Sequence, residues 1–264
     1  MEIQEQVVRK VTLIGNGAHI FTPKEWLNEK VLVVRLEKKS VNEKILEILS
    51  PYLDKVICIL LYGSYARNEN TDESDIDVLV ITREKFQIDK KSDVDFLIVP
   101  EESLDSAIKI NSLMMYSIFR EAKPIMNSKY FEKLKKIEVN TKLFFPFFKS
   151  TKESIKSSQE IIELDKKTGD LASNSVIYSL ILRLRGVFII KNILNKKMYS
   201  NKLFKEWIKN NCKVDSEKLY KIYQKVRSGK KEKDKAIIFE EEKLISFLKE
   251  ELKKLEILVK KNGK

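Results

Sequence analysis

The sequence predicts an α+β protein in which a β-sheet flanked by helices is followed by an all-α helical bundle and preceded by a short β-hairpin segment. Three observations point there. Short β-branched runs broken by turn residues fill Val7–Leu36. Strand and helix patterns alternate from Ser40 to about Asn140. From Thr141 onward the apolar period is helical throughout. The expected boundaries give segments 1–38, 39–140 and 141–264.

In the first segment, Val11–Ile14 precedes a Gly15-Asn16-Gly17 turn, then Ile20-Phe21, and Val31–Leu36 closes the stretch as a strand. Thr22-Pro23-Lys24-Glu25 reads as a helix cap with proline at the first helical position. In the second, Ser40-Val41-Asn42-Glu43 is a capping box that opens a helix with Val41, Ile45, Ile48 and Leu49 on one face. Val56–Leu61, Asp75–Ile81 and Val94–Val99 are continuous apolar runs of the length and composition of buried strands. In the third, helical patterns run near Ile155–Leu164, Ser173–Leu194, Ser216–Arg227 and Glu240–Val259.

A chain of 264 residues with 43% apolar content can bury its own core without metal or disulfide support. Its 51 Lys and Arg against 39 Asp and Glu leave a net charge of +12, which suits an acidic partner. Only eight of those cations are Arg, and a Lys/Glu/Ile-rich surface also arises by adaptation to heat without any polyanion to bind. The longest apolar stretches are too short to span a bilayer, and Arg183 with Arg185 interrupts Val176–Ile190. Met1–Lys10 carries charges where a secretion signal would be apolar, so no membrane association and a cytoplasmic location are expected. Cys58 and Cys212 make neither a disulfide framework nor a zinc pattern, and His19 has no companion ligand.

The chemistry-bearing stretch follows the first buried strand as Leu60-Leu61-Tyr62-Gly63-Ser64-Tyr65-Ala66-Arg67, then Ser74-Asp75-Ile76-Asp77-Val78-Leu79-Val80. Gly63 lets the chain turn out of the strand so that Ser64 can approach phosphate oxygens, with Arg67 one turn later facing the same anion. Asp75 and Asp77 stand two apart at the start of a strand, so both carboxylates project to one face. Asp93 and Asp95 repeat that spacing. Acids converging from adjacent strands repel one another unless a divalent cation neutralises them, and a two-metal phosphoryl-transfer centre uses such an arrangement productively.

Gly63-Ser64, the ten residues Tyr65–Ser74, Asp75-Ile76-Asp77 and then Asp95 resemble the signature of the DNA polymerase β-like nucleotidyltransferase superfamily, and within it the minimal nucleotidyltransferase branch. The resemblance covers roughly Asn42–Asn140 and implies the mixed nucleotidyltransferase β-sheet. It implies further that Gly63 and Ser64 hold the triphosphate of a nucleoside triphosphate such as ATP, the anion that Arg67 faces from its place one turn later. Asp75, Asp77 and Asp95 would be catalytic and would bind two Mg²⁺ ions, Asp95 also helping to deprotonate an acceptor hydroxyl. Asp93 lies outside the family pattern.

The first forty residues resemble archaeal relatives of AbrB-like swapped-hairpin DNA-binding modules, which pair as dimers. That resemblance implies contact of Arg9, Lys10 and Lys24 with DNA phosphates, and a homodimer. An N-terminal hairpin extending the catalytic sheet is the other reading. The helical third resembles HEPN-like accessory domains. No histidine follows His19, so the Arg-then-His pair of HEPN ribonucleases is missing. The expected function is transfer of a nucleoside monophosphate to a hydroxyl of a protein, as in antitoxin-like members of the superfamily, or of a small molecule or RNA. The alternative is a DNA-binding regulator or toxin-antitoxin module on a non-catalytic nucleotidyltransferase scaffold.

Overall fold

A computed structural model describes residues 9, 11–31, 33, 40–72, 74–88, 93–169, 171–230 and 235–262. The chain divides into two compact units, Met1–Ser40 and Val41–Lys264.

The first unit contains a two-stranded antiparallel hairpin of β1 (Thr12–Ile14) and β2 (Gly17–His19), with Thr12 opposite His19 and Ile14 opposite Gly17. The Gly15-Asn16 turn falls where the sequence places it. Pro23 leads into a single 3₁₀ turn, Lys24–Trp26, shorter than the helix its cap suggests. Leu13, Phe21 and Leu27 are exposed. The closing strand expected at Val31–Leu36 falls mostly outside the described residues.

The second unit opens with α1 (Val41–Leu49), where the capping box predicts it. Strand β3 (Val56–Tyr62) follows, then the single turn α2 (Gly63–Ala66) and strands β4 (Ile76–Thr82) and β5 (Val94–Pro100). Two helices, α3 (Leu104–Ile110) and α4 (Ser112–Glu121), lead to a short strand β6 (Lys123–Met126) and to α5 (Ser128–Lys135). The sheet has the order β5-β4-β3-β6, with β4 and β5 parallel and the other pairs antiparallel, so it is mixed. β6 lies at an edge, where Pro124 is tolerated because edge strands need not donate every ladder hydrogen bond.

Side chains alternate across the sheet as the strand period requires. Val56, Ile59, Leu61, Ile76, Val78, Val80 and Val94 pack with Ile45 and Leu49 of α1 on one face. Cys58, Leu60, Leu79, Ile81 and Val99 point to the other face, where a single buried cluster continues through α3, α4 and α5 into the helical region.

That region comprises α6 (Phe145–Thr168), α7 (Asn174–Leu194), α8 (Asn201–Cys212), α9 (Ser216–Arg227) and α10 (Ile238–Asn262). Helix α7 is apolar nearly all round and packs on α4, α6, α9 and α10, as expected for a central helix. At Gly186 a Cβ would lie 2.4 Å from the Phe147 ring, so the missing side chain is what admits that ring. No described helix is long and apolar enough to cross a membrane.

Glu241, near the start of α10, is fully buried, and neither of its carboxyl oxygens has a hydrogen-bond partner among the described residues. The nearby Ser173 N–H and hydroxyl both donate to Asp165 instead, at 2.9 Å. Burial, with the charges of Asp165 and Glu242, pushes the Glu241 carboxyl up to about 8 from an ordinary 4.5. Between those values the folded state holds a proton that the unfolded chain has released, so stability falls as pH rises through this window. Glu241→Gln is therefore expected to raise the melting temperature above that of wild type by several degrees at about pH 8, with the advantage shrinking towards about pH 4.5. Thermal melts of both proteins across this range check it.

Candidate active site

The site lies at the end of the sheet where β3 finishes and β4 and β5 begin. Tyr62 pairs in register with Asp77, and Asp77 with Asp95. By strand parity all three belong to the face that carries Leu60, Leu79 and Val99. Neighbouring strands lie about 5 Å apart, so the two acids stand side by side. Asp77 is half-buried and Asp95 exposed, while Asp75 lies just before β4 and is exposed.

Gly63 turns the chain out of β3 with φ +70°, a conformation that L side chains rarely adopt. Its missing side chain matters as much as its dihedral. A Cβ there would sit 2.1 Å from Asp77 Oδ2 and 2.9 Å from Asp77 Cγ. The Asp77 carboxylate thus occupies the space beside the turn, which locks the Gly-Ser element to the first acid of β4. The Ser64 hydroxyl makes no hydrogen bond with any described residue, while its carbonyl accepts from Glu69 N–H at 2.9 Å.

The Gly63 N–H donates to Glu121 Oε1 at 3.3 Å, so it is engaged by the protein. Glu121 ends α4 with a side chain only 5% exposed, and its Oε2 accepts from Arg67 Nη1 at 2.8 Å. Arg67 Nε donates to Glu69 at 3.0 Å, and the Arg67 side chain is 8% exposed. This differs from the expectation that Arg67 faces an anion: two of its donor nitrogens are held by protein carboxylates. Burial pushes the Glu121 carboxyl above its usual range, against the pull of Arg67 and the Gly63 N–H.

The network continues into the helical region. Glu69 accepts from the Ser200 hydroxyl at 2.8 Å and from Asn201 N–H at 2.9 Å, at the start of α8. The Tyr199 ring has the Arg67 guanidinium 5.1 Å and the Arg185 guanidinium 5.0 Å from its centroid. Arg185 donates to the hydroxyls of Tyr199, at 3.0 Å, and Tyr223, at 3.3 Å. Arg185, which interrupts the apolar run of α7, is thus held inside the protein by hydrogen bonds to tyrosines.

Asp77 is the acid whose titration the site perturbs most clearly. Burial pushes its carboxyl up to about 6, Asp95 and Asp75 add to the rise, and Arg227 at the end of α9 and Arg67 oppose it. Burial and the charges of Asp77, Asp95 and Glu121 also raise the Tyr62 phenol, which stays protonated. Asp93 lies apart from this group in an ion pair with Lys44, which holds its carboxyl below the usual range.

Among the described residues, no three His, Cys, Asp or Glu are gathered closely enough to hold a metal ion. The convergence of Asp75, Asp77 and Asp95 expected from the sequence is thus only partly built, as an in-register pair with Asp75 close enough to be felt by charge. The donor chemistry still fits a hard divalent cation. These are carboxylate oxygens on one face, and their mutual repulsion raises the Asp77 carboxyl as a cation would relieve it.

Residues 43–161 match the family described as polymerase beta, nucleotidyltransferase. Over that stretch the chain is similar to the nucleotidyltransferases of this family. The matched stretch contains the whole sheet, the Gly63-Ser64 turn and all three acids, and extends into α6. Two putative protein adenylyltransferases of Methanocaldococcus jannaschii are similar to part of this chain. One is 42% identical over 45 residues, 17% of this chain and 45% of that protein. The other is 43% identical over 54 residues, 20% of this chain and 46% of that protein. The chain spans about half the length of the curated relatives it matches. A spectinomycin adenyltransferase from Enterococcus faecialis, solved with ATP and spectinomycin, aligns with a TM-score of 0.45 at 17% identity, over 80% of this chain and 97% of that one.

The nucleotidyltransferase motif is readable in the sequence, whereas Tyr62, Glu69, Glu121 and Arg227 join the site only through the fold. Glu121 carries a weak sequence signal, an acid closing the apolar stretch of α4. Gly63→Ala is expected to displace Asp77 and to strain the turn by about 1–3 kcal/mol. Melting temperature and nucleotide binding should both fall, whereas Ser64→Ala leaves the melt near wild type. In metal-free protein, carbon NMR should place the Asp77 midpoint near 6. Asp95→Asn should move it down by removing a like charge, and Arg227→Ala should move it up.

Proposed function

We propose that this chain is an adenylyltransferase that moves AMP from ATP to a hydroxyl and releases pyrophosphate. The observation that carries this reading is the Gly63-Ser64 turn pressed against Asp77, with Asp95 in register beside it. The match of residues 43–161 to a nucleotidyltransferase family supports the reaction class. The names of the two partial relatives favour a protein hydroxyl as acceptor and ATP as donor.

In this reading Gly63 contributes the open turn and Ser64 the hydroxyl that receives a phosphate oxygen. Asp95, exposed at the site, accepts the proton of the attacking hydroxyl as it adds to the α-phosphorus. The bond from the α-phosphorus to the bridging oxygen breaks, and that oxygen leaves with pyrophosphate. Asp75, Asp77 and Asp95 would hold Mg²⁺, which when bound supplies charge neutralisation for the triphosphate and the displaced oxygens. Asp77 must be ionised for this, so in metal-free protein the cation competes with a proton that Asp77 holds below about 6, and more Mg²⁺ is needed for activity as pH falls through that region. Arg227 adds positive charge on the Asp77 side of the site. Arg67 acts from within the protein, through Glu121 and Glu69, on the shape of the turn.

The test uses ATP labelled at the α-phosphate, Mg²⁺ and a lysate of the source organism. Wild type is expected to label protein, and Asp77→Asn or Asp95→Asn to lower the rate at least about a hundredfold. Chelation of divalent cations should stop labelling. Labelling that persists unchanged in Asp77→Asn would sink the reading, and label appearing only on small molecules would move the acceptor to that class.

A further inference from the structure

We propose that Glu121 is a positioning residue for the Gly63-Ser64 turn, anchoring the Gly63 amide with one carboxyl oxygen and Arg67 with the other. The proposal rests on the reading of that turn as the triphosphate site. Glu121 sits on α4, far from the turn in sequence, and the two contacts use different oxygens, 3.3 Å to Gly63 N and 2.8 Å to Arg67 Nη1. The carboxylate therefore bridges the first residue of the turn and the residue that follows α2.

Two physical arguments make this more than an ordinary ion pair. Gly63 has no side chain to hold it, and the first N–H of a helical turn has no acceptor within the turn, so Glu121 supplies the acceptor that the turn itself lacks. A carboxylate with 5% exposure is also costly unless paired. Here Glu121 and Glu69 are matched by Arg67 and Arg185, two negative charges against two positive, with Arg67 and Arg185 both against the Tyr199 ring. The turn can therefore rest on a buried acid without presenting net negative charge to an incoming polyphosphate. Glu69 ties the same network to Ser200 and Asn201, so the helical region has a direct purchase on the geometry of the turn.

The test uses the full chain, a fluorescent non-hydrolysable ATP analogue with Mg²⁺, and amide hydrogen exchange at Gly63 read by NMR. In Glu121→Ala, analogue Kd should rise at least about tenfold and Gly63 exchange should quicken by a similar factor. Glu121→Gln keeps an acceptor for Gly63 but turns an amide towards Arg67. It should recover most of the Gly63 protection and part of the affinity, a graded rescue that a purely structural ion pair would not give. If Glu121→Ala does not fold, Glu69→Gln decides: at least about a threefold rise in Kd with faster Gly63 exchange supports the proposal, and wild-type values overturn it. If wild type binds the analogue and Ser64→Ala weakens binding, but folded Glu121→Ala matches wild type, the proposal fails and the reading of the turn stands. If wild type binds no analogue, that reading itself fails.

Discussion

The Asp77 carboxylate fills the volume that a side chain at position 63 would need, and much of the site follows from that close approach. It requires glycine at the turn, it couples the end of β3 to the start of β4, and it leaves Asp77 half-buried. Burial in turn raises the Asp77 carboxyl and makes its charge sensitive to Asp95, Asp75 and Arg227. A single steric fact thus links backbone geometry to the electrostatics on which phosphoryl chemistry depends.

The second constraint is the fate of buried charge. Glu121, Glu69 and Arg67 meet where the sheet end approaches the helical region, and Tyr199, Asn201 and Tyr223 complete the group together with Arg185. Such ion pairs add little net stability, because desolvation offsets attraction, but removing one partner strands the other. Their value here is geometric, in fixing the register of elements far apart in the chain. Arg67 shows the principle: its sequence position one turn beyond Ser64 suggests a phosphate ligand, while its partners are carboxylates on α4 and in the loop after α2.

Much of the architecture could be read from local pattern. The three long strands and the helices of the C-terminal region announce themselves by apolar period, and the mixed sheet follows the Gly63-Ser64 and Asp75-Ile76-Asp77 resemblance. β6 was not legible, since four residues containing proline carry no strand period and gain their conformation only from pairing with β3. Helix α6 begins at Phe145, well before the pattern near Ile155–Leu164, with Pro146 in its first turn. In the site, the motif acids were visible because their spacing is local. Glu121 and Glu69 were not, because their roles arise from contacts across as many as 132 positions. That the described residues hold no tight three-acid cluster is also beyond a local reading, since spacing along a strand fixes the face but not the distance between carboxyl groups.

One buried cluster runs from Leu60 and Leu79 of the sheet through Phe144 and Leu184 to Leu255. A chain cut or recombined near residue 140 would tear that cluster open and bare aromatic and aliphatic surface on both fragments. In this chain the sheet and the bundle therefore share one apolar interior, and a change in the packing of one is felt by the other.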